Sequence, residues 1–376
     1  MKIQIFHATA GYGHKKVAQV LEQAFHRRGL KSEEVRIYDA LDETPFVFRK
    51  TYPASYYYMV KYAPALWGAA YEGLDHRSVD RCLRPLRSLF NLFHGDAILK
   101  RVLREDPDHL ICTHFFTAEL FATAKRKGLL RSKLTTVVTD FYPHAFWVND
   151  VTDQYWVMNE TSRQAMAGWG VNLDTVYAGG IPVDPVCLPT GRKEAILERF
   201  NFSSGRFTLL ITSGSFGLGP YIQILKILEK YKDRLQCFVV CGHNREMRET
   251  LEREKFKVPV RIFGFVDFMP DLMEAADLVL AKPGGATTVE TLAKGVPMIV
   301  LHPIPGQEMR NAHFLKEKKA SFFMNEPPEI EAILDAILAD PAKLEEVKRN
   351  IQTIAKPHAA DDLVSLILGE KKGNRK

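Results

Sequence analysis

The sequence predicts an α/β protein with two doubly wound domains, each built on a parallel β-sheet. Three observations predict this fold class. The chain has 376 residues, which is enough for two domains of typical size. Short apolar runs of the β type alternate with helical stretches, as in βαβ units. This alternation begins at Ile3 and starts again after residue 205, so we expect one sheet in each half of the chain.

The elements of each half follow from that alternation in chain order. In the first half we expect strands at 3–9, 34–38, 110–113 and 134–139, with helices at 14–28 and 117–127. In the second half we expect strands at 208–212, 236–241, 260–263, 278–280 and 298–301. Residues 178–191 are rich in glycine and proline, which is typical of a hinge. The predicted parts are an N-terminal domain at 1–183, a C-terminal domain at 184–355, and a C-terminal helix and tail at 356–376. In one arrangement, this last part packs back on the N-terminal domain.

Composition and charge narrow the class of partner. The 51 lysines and arginines exceed the 45 aspartates and glutamates, and the net charge of +6 suits an anionic partner. The basic residues are dispersed and form no recognition motif, so we expect no nucleic-acid binding. Five scattered cysteines and the lack of a signal-peptide pattern favour a cytoplasmic location. No apolar run approaches the ~20 residues of a membrane span, so contact with a membrane would be peripheral.

An aromatic insertion at residues 44–75 interrupts the first half. Aromatic rings with polar tips next to cations are typical of a surface that meets anionic lipid headgroups. A helical insertion whose aromatics pack on the sheet would explain the same composition, so both interpretations stay open. The aromatic residues are Tyr52, Tyr56, Tyr57, Tyr58, Tyr62, Trp67 and Tyr71, and the cations that follow are Arg77, Arg81, Arg84 and Arg87.

Two strand-to-helix loops of the first half carry side chains suited to catalysis. Ligands of open parallel sheets bind where strands end and helices begin. The loop at 8–14 ends in Gly13 and His14, and a helix N-terminus disfavours the imidazolium form, so His14 would stay neutral as a general base requires. A glycine turn before a helix also has this pattern without any catalytic role. The loop at 139–147 adds Asp140, His144 and Trp147.

Three loops of the second half suit a phosphorylated sugar. The loop at 212–220 is interpreted as a phosphate cradle or as a plain tight turn, because it matches neither the P-loop nor the dinucleotide fingerprint. The loop at 282–290 offers glycine N–H groups and the hydroxyls of Thr287 and Thr288 to a diphosphate, and Glu290 could accept hydrogen bonds from ribose. The loop at 302–311 carries Gln307 and Glu308, which suit sugar hydroxyls.

The runs at 260–273, 282–290 and 305–311 resemble the donor-binding half of the monogalactosyldiacylglycerol synthase and processive diacylglycerol glucosyltransferase group. These are inverting GT-B glycosyltransferases of glycosyltransferase family 28. The resemblance extends to Gly11-Tyr12-Gly13-His14, to Pro64-Ala65-Leu66-Trp67 and to Thr139-Asp140-Phe141, and covers about residues 3–325. It implies a GT-B fold with an acceptor and membrane domain followed by a UDP-sugar domain.

The same resemblance implies the activity and the roles of the residues. A hexose would pass from a UDP-sugar to a lipid hydroxyl, most naturally of diacylglycerol, at an anionic membrane surface on the inner face of the cell membrane. No metal or other cofactor is expected, and Asp106-Pro107-Asp108 is better interpreted as a helix-ending turn than as a metal-binding pair. His14 takes the place of the catalytic histidine, with Asp140 as the other candidate base, and Trp147 falls on a tryptophan linked to lipid contact.

Two sets of binding residues complete this prediction. The acceptor and membrane set is Tyr56, Tyr57, Trp67, Trp147, Arg77, Arg81 and Arg84. In the donor set, Val266 would contact uracil, Glu290 the ribose, and Gln307 and Glu308 the hexose. The full donor set is Gly13, Ser213, Gly214, Ser215, Phe216, Gly217, Asn244, Phe265, Val266, Met269, Gly284, Gly285, Ala286, Thr287, Glu290, Gln307 and Glu308.

Three alternatives share the nucleotide half of the prediction. One is a UDP-N-acetylglucosamine-dependent transferase that acts on another lipid. A non-hydrolysing UDP-sugar epimerase has the same two-domain architecture but does not need the aromatic insertion. A non-catalytic UDP-sugar sensor would keep Glu290 and the glycine loops without needing His14.

Overall fold

A computed structural model describes residues 1–9, 12–214 and 217–370, apart from the side chains of Tyr12 and Tyr56. The chain divides into two compact units. The first contains residues 1–183, Pro305–Gln307 and the C-terminal residues from Lys356 onward. The second contains Asp184–Ile304 and Glu308–Ala355. Each unit has its own sheet, which confirms the predicted α/β class.

The sheet of the first unit has six parallel strands in the order β2-β1-β3-β4-β5-β6. Its central strands are buried on both faces, as in parallel sheets covered by helices, and polar residues within them such as Gln4, Thr135 and Thr136 are buried as well. The strands are β1 (Ile3–His7), β2 (Val35–Asp39), β3 (His109–Cys112), β4 (Lys133–Val137), β5 (Gln154–Val157) and β6 (Val176–Ala178). The helices are α1 (Tyr12–Arg27), α2 (Phe46–Tyr62), α3 (Pro64–Leu74), α4 (Arg77–His94), α5 (Asp96–Glu105), α6 (Phe115–Arg126) and α7 (Glu160–Gly168).

The sheet of the second unit also has six parallel strands, in the order β12-β11-β10-β7-β8-β9. The strands are β7 (Phe207–Thr212), β8 (Leu235–Val240), β9 (Val260–Phe263), β10 (Leu278–Ala281), β11 (Met298–Leu301) and β12 (Phe322–Met324). The helices are α8 (Lys193–Arg199), α9 (Tyr221–Leu228), α10 (Arg245–Arg253), α11 (Met269–Ala275), α12 (Gly285–Lys294), α13 (Gln307–Glu317), α14 (Glu329–Ala339) and α15 (Ala342–Ile354).

The strand orders identify where each unit can bind a ligand. In the first sheet the chain leaves β1 toward β2 and then continues on the other side with β3. In the second sheet β8 and β10 flank β7 in the same manner. Ligands of doubly wound sheets bind at such switch points, beyond the carboxyl ends of the strands. The loops at these two points are 8–14 with 113–114, and 212–220 with 282–285.

The aromatic insertion forms the helices α2 and α3, and its aromatic residues divide between the core and the surface. Phe48 and Tyr71 are buried in the first unit, whereas Phe46, Tyr58 and Tyr62 are exposed. Asp106 ends α5 in the left-handed conformation, with φ of 42°, which agrees with the predicted helix-ending turn. In the part of the chain that the structure describes, no helix combines the length and apolar character needed to cross a bilayer.

A final helix, α16 (Ala359–Leu368), belongs to the first unit. It packs against α1, and the guanidinium of Arg28, directly after α1, donates to the hydroxyl of Ser365 at 3.0 Å. Arg27 also forms an ion pair with Asp361 at 3.2 Å. The chain therefore returns to the unit in which it began.

Candidate active site

His14 lies in the first turn of α1, directly after Gly13, at the switch point of the first sheet. Its Nδ1 is 2.8 Å from the carbonyl oxygen of Thr113 and 2.9 Å from the hydroxyl oxygen of Thr139. A carbonyl can only accept a hydrogen bond, so Nδ1 carries the proton and donates it. The Nε2 of the neutral ring therefore keeps its lone pair and can accept a proton from a substrate.

The surroundings of His14 keep it neutral. Burial lowers the pKa of His14 to about 4. The ring of His114 stands edge-on to it, with 4.6 Å between ring centroids. Burial also lowers the pKa of His114 well below its ordinary value, and its Nδ1 accepts the N–H of Phe116 at the start of α6. A neutral imidazole in this position is ready to act as a base near neutral pH.

Asp140 is buried in the loop after β4 and is held by other side chains of the first unit. Its Oδ2 accepts a hydrogen bond from the indole Nε1 of Trp147 at 2.8 Å, and its Oδ1 accepts one from the amide of Gln307. Gln307 was predicted as a contact of the donor hexose. In the structure it belongs to the first unit and contacts the second candidate base.

Trp147 was predicted to contact the membrane, and the structure corrects this. Its side chain is 1% exposed and packs in a core cluster with Val138 and Tyr155. A ring in that position does not reach a lipid surface. Its indole instead fixes Asp140, and its ring centroid is 6.2 Å from that of His14.

The glycine loop after β7 is held by the neighbouring strand loop in the second unit. Gly217 has φ of +58°, and a Cβ at this position would lie 1.9 Å from the carbonyl oxygen of Cys241, so only glycine fits. The amide of Asn244 donates to the carbonyl of Gly217 at 3.0 Å and accepts from the N–H of Met247. Asn244 therefore positions this loop. Ser213 is buried and Gly214 is exposed, and Ser215 and Phe216 lie outside the described residues.

The second loop at this switch point begins α12, with Gly284 as its N-terminal boundary residue. The N–H groups of Gly285, Ala286 and Thr287 have no acceptor within the helix and can bind an anion. The predicted diphosphate contact of the Thr288 hydroxyl is wrong. This hydroxyl is buried and donates its hydrogen bond to the carbonyl of Gly284 at 2.8 Å.

Carboxylates and a lysine lie close to this helix start. Glu290 is buried in the second turn of α12. The carboxylate of Glu308 accepts the N–H of Ile304 at 2.9 Å, and burial raises its pKa. Burial lowers the pKa of Lys282, and the charge of Glu308 opposes that shift. Lys282 was not in the predicted donor set, although its place directly before Pro283 and the paired glycines was a usable signal.

The loop after β9 carries the residues predicted at the nucleobase. Phe265 is exposed and stacks on His243, with 4.5 Å between ring centroids and 10° between ring planes. Val266 is half-buried, and Met269 begins α11. The backbone of this loop and one face of the aromatic pair can receive a planar base.

The predicted cations of the first unit differ in their partners. Arg77 and Arg81 are exposed on α4, and neither forms an ion pair with a residue that the structure describes. Arg84 is different, because its guanidinium donates to the buried carboxylate of Asp80 at 2.6 Å. The prediction that Arg84 binds anionic lipid is therefore wrong, since its counter-charge is inside the protein. Tyr57 is half-buried on α2, Trp67 lies on α3, and the side chain of Tyr56 lies outside the described part.

Across residues 1–9, 12–214 and 217–370, no three His, Cys, Asp or Glu side chains are grouped so that they could hold a metal ion.

Comparison with known proteins shows the family of the chain. A family model of monogalactosyldiacylglycerol (MGDG) synthase matches residues 14–183, and one of the glycosyltransferase family 28 C-terminal domain matches residues 208–363. A protein of Bacillus cereus named processive diacylglycerol beta-glucosyltransferase is 30% identical over 375 residues, which cover 98% of this chain and 94% of that protein.

Solved structures show the same architecture. MurG of Acinetobacter baumannii has a TM-score of 0.61 at 17% identity, covering 98% of this chain and 100% of that one. Alr3699/HepE of Anabaena in complex with UDP has a TM-score of 0.59 at 14% identity, with coverage of 98% and 100%.

The two parallel six-stranded sheets have the GT-B fold of these structures, and the family model of the second half together with the named relative makes the chain a glycosyltransferase. The chain belongs to the family of the MGDG synthases and processive diacylglycerol β-glucosyltransferases. The predicted family and fold are confirmed.

Proposed function

We propose that this protein transfers a hexose from a UDP-sugar to the hydroxyl of diacylglycerol with inversion at the anomeric carbon. The products would be monoglycosyl- or oligoglycosyl-diacylglycerol. The observation that carries this proposal is the neutral His14 imidazole at the switch point of the first sheet, in a chain of this family. The name of the Bacillus cereus relative makes UDP-glucose the first donor to test.

His14 is the proposed general base. Its Nε2 takes the proton of the acceptor hydroxyl as the oxygen forms a bond to the anomeric carbon. The bond from that carbon to the diphosphate oxygen breaks, and its electron pair leaves with UDP. Asp140 is less suited to this role, because both of its oxygens already accept hydrogen bonds from Trp147 and Gln307. We assign it the role of a positioning residue.

The second unit is proposed to bind the donor. The N–H groups at the start of α12 and in the loop after β7 would stabilise the charge that develops on the leaving diphosphate. Glu290 would accept hydrogen bonds from the ribose, and Glu308 from the hexose. This proposal requires no metal ion, because backbone dipoles supply the electrostatic stabilisation.

Incubating the protein with diacylglycerol in detergent micelles and each of several UDP-sugars tests the function directly. Glycolipid products are separated by chromatography, and the configuration of the new bond is read by NMR. We expect a β-linked hexosyl-diacylglycerol from the α-linked donor. No product from UDP-glucose, UDP-galactose or UDP-N-acetylglucosamine would refute the proposal.

The Glu290→Ala variant is expected to raise the KM for the UDP-sugar by about ten- to a hundredfold, with a smaller change in kcat. A hydrogen bond to a charged group contributes about 1.5–3 kcal/mol, and loss of one such bond to the ribose corresponds to this change in KM. Steady-state kinetics with a fixed concentration of acceptor measure this change. Glu246→Ala, on the exposed face of α10, is the control. An unchanged KM would remove Glu290 from the ribose site.

The alternatives have less support. The family model of the first half and the named relatives are transferases, which favours neither an epimerase nor a sensor. A transferase that uses UDP-N-acetylglucosamine with another lipid is separated from the main proposal by the same product assay.

We also propose that the protein works peripherally on the cytoplasmic face of the cell membrane. Diacylglycerol resides in membranes, so the enzyme must reach a bilayer surface. The exposed aromatics of α2 support an anionic surface as the partner. So do the exposed guanidinium groups of Arg77 and Arg81, which form no ion pair with any described residue.

Sedimentation with vesicles tests this association. We expect a larger bound fraction with phosphatidylglycerol vesicles than with phosphatidylcholine vesicles, and a decrease in that fraction as salt is raised. Each basic residue near such a surface contributes about 1 kcal/mol. The double variant Arg77→Ala/Arg81→Ala should lose most of the preference, whereas Arg84→Ala should keep it. Equal binding to both kinds of vesicle would contradict the proposal.

A further inference from the structure

Helix α4 is amphipathic with its polarity reversed relative to an ordinary surface helix. A surface helix normally turns its apolar face inward and its charged face to water. In α4 the residues at positions 80, 84, 87 and 91 form one face, and those at 83, 86, 89, 90 and 93 form the other, because residues three and four apart share a face. The first face is polar and packed, and the second is apolar and exposed.

The inward face of α4 is held by a buried charge network. Asp80 accepts hydrogen bonds from Arg84 and Arg87, at 2.6 and 2.9 Å. Arg87 and Ser88 also donate to the carboxylate of Glu119 on α6, at 3.0 and 2.6 Å. The side chains of Asp80 and Glu119 are 3% and 1% exposed. Buried carboxylates with these partners fix the rotation of the helix, because turning it would leave them unpaired.

The outward face is therefore held in an exposed position. Leu86 and Leu89 are each 66% exposed, and Phe93 is 73% exposed. The start of α2 extends this surface, since Phe48 on α2 contacts the ring of Phe90 on α4, and its neighbour Val47 is 69% exposed. Soluble monomers rarely display contiguous apolar patches of this kind without a partner.

Cations border this apolar surface. Arg77 and Arg81 are exposed toward the start of α4. On α2, the ammonium of Lys50 lies 4.9 Å from the ring centroid of the exposed Phe46. An apolar stripe bordered by basic residues matches the interfacial region of a bilayer with anionic headgroups.

We propose that α4 lies in the plane of an anionic membrane, with Leu86, Leu89 and Phe93 inserted among the acyl chains. This inference rests on the proposed function, since it gives the enzyme its position at the lipid acceptor. The inserted face would reach about 5–10 Å below the headgroups, as in other interfacial helices. The buried network of Asp80 and Glu119 is the device that presents the apolar face to the lipid.

The test compares two variants in vesicles of equal parts phosphatidylglycerol and phosphatidylcholine. Leu86→Ser/Phe93→Ser removes two inserted side chains, and we expect the partition coefficient to fall by about tenfold or more. Leu129→Ser, at an exposed leucine outside α4, is the matched control and should leave it unchanged. At high salt the wild type should keep a residual bound fraction that the double variant lacks, because apolar insertion is not screened.

A second measurement does not depend on weakened binding. Phe93→Trp adds a fluorescent probe to the four native tryptophans. The fluorescence that this variant gains over the wild type should be quenched by lipids brominated in the acyl chain and not by lipids brominated at the headgroup. Quenching only by the headgroup label, or equal partitioning of the double variant and the wild type, would overturn the proposal. So would a dimer in light scattering that the double variant converts to a monomer with no change in vesicle binding, since α4 would then face a second copy.

Transfer to diacylglycerol in detergent micelles separates this inference from the proposed function. Both serine variants should keep wild-type activity in micelles, and the double variant should lose activity only on vesicles. Absence of transfer in micelles by every form of the protein would contradict the proposed function instead. Full activity of the double variant on vesicles would contradict the membrane role of α4 while leaving the function intact.

Discussion

His14→Ala is expected to abolish hexose transfer while leaving the affinity for UDP nearly unchanged. A positioned general base contributes about 10²–10⁴-fold to a rate. Asp140, the other candidate base, already accepts hydrogen bonds from Trp147 and Gln307, so we do not expect it to replace His14. The contacts proposed for UDP are all made by the second unit, so binding measured by calorimetry should not respond. Product formation from radiolabelled UDP-sugar measures the loss.

His26→Ala is the matched control for this substitution. His26 lies in the last turn of the same helix, and its Nδ1 also contacts a backbone carbonyl, that of Leu30 at 2.8 Å. Its replacement removes an imidazole of similar bonding far along α1 from the candidate base, and activity should stay within about twofold. Equal losses in the two variants would mean that His14 acts on the stability of α1 rather than on the reaction.

The pH profile provides an independent measure of the role of His14. Its pKa is lowered to about 4, so the ring is unprotonated above that value and is lost as a base only below it. The kcat/KM should therefore stay level from about pH 8 to about pH 5.5, where an ordinary histidine with a pKa near 6.5 would already be mostly protonated. An acid limb near pH 6.5 would show that the base is an exposed histidine.

The sequence indicated where the candidate base lies but not what holds it. Glycines before a helix and a histidine in its first turn are visible in the sequence, and they led to His14. Its hydrogen-bond acceptor is the main-chain carbonyl of Thr113, which carries no side-chain signal and lies directly after β3, 99 residues away in the chain. Only the parallel pairing of β1 with β3 brings the two together.

The main error in predicting the structure from the sequence concerned which face of α4 is buried. The arginines of residues 77–87 were interpreted as one basic surface, because the pattern of a helix defines two faces without saying which is buried. The answer depends on Glu119, a buried carboxylate on α6 that attracts Arg87 inward. Strands β5, β6 and β12 were also missed. β6 and β12 have three residues each and lie at sheet edges, and β5 has four residues, so all three are too short for a periodic signal.

A buried ion pair in the second unit leads to the largest expected change in stability. Lys294, the last residue of α12, pairs with Glu274 on α11, and their side chains are 2% and 7% exposed. The ammonium of Lys294 also donates to the carbonyl of Leu188 at 2.6 Å, and Glu274 accepts the N–H groups of Thr190 and Gly191 at 2.9 and 2.8 Å. The pair therefore connects residues 188–191 to α12, the helix that is proposed to bind the diphosphate.

Lys294→Met is expected to lower the free energy of unfolding of the second unit by about 3–5 kcal/mol, because it leaves a buried carboxylate without its cation. Lys193→Met is the matched control, since Lys193 pairs with Asp277 at 2.5 Å with both side chains partly exposed, and such a pair contributes about 0–1 kcal/mol. The double variant Lys294→Met/Glu274→Leu should recover part of the loss, because no charge then remains buried.

Urea unfolding can assign this loss to the second unit. All four tryptophans, Trp67, Trp147, Trp156 and Trp169, lie in residues 1–183, so their fluorescence reports the first unit and far-UV circular dichroism reports both. In Lys294→Met the circular dichroism transition should begin at lower urea than in the wild type, ahead of the fluorescence transition. If Lys294→Met and Lys193→Met unfolded alike, the buried pair would not stabilise the unit.

Acid should reproduce part of the effect of Lys294→Met in the wild type. Burial alone would raise the pKa of Glu274, but hydrogen bonds from Lys294 and Thr190 outweigh it, and the pKa is lowered overall. A carboxylate with a lowered folded-state pKa contributes stability above its unfolded value, and that contribution is lost as pH falls through the folded value. The gap in stability between the wild type and Glu274→Leu should therefore narrow as the pH is lowered below about 4. A gap that stayed constant with pH would mean that Glu274 stabilises the unit through packing and not through its charge.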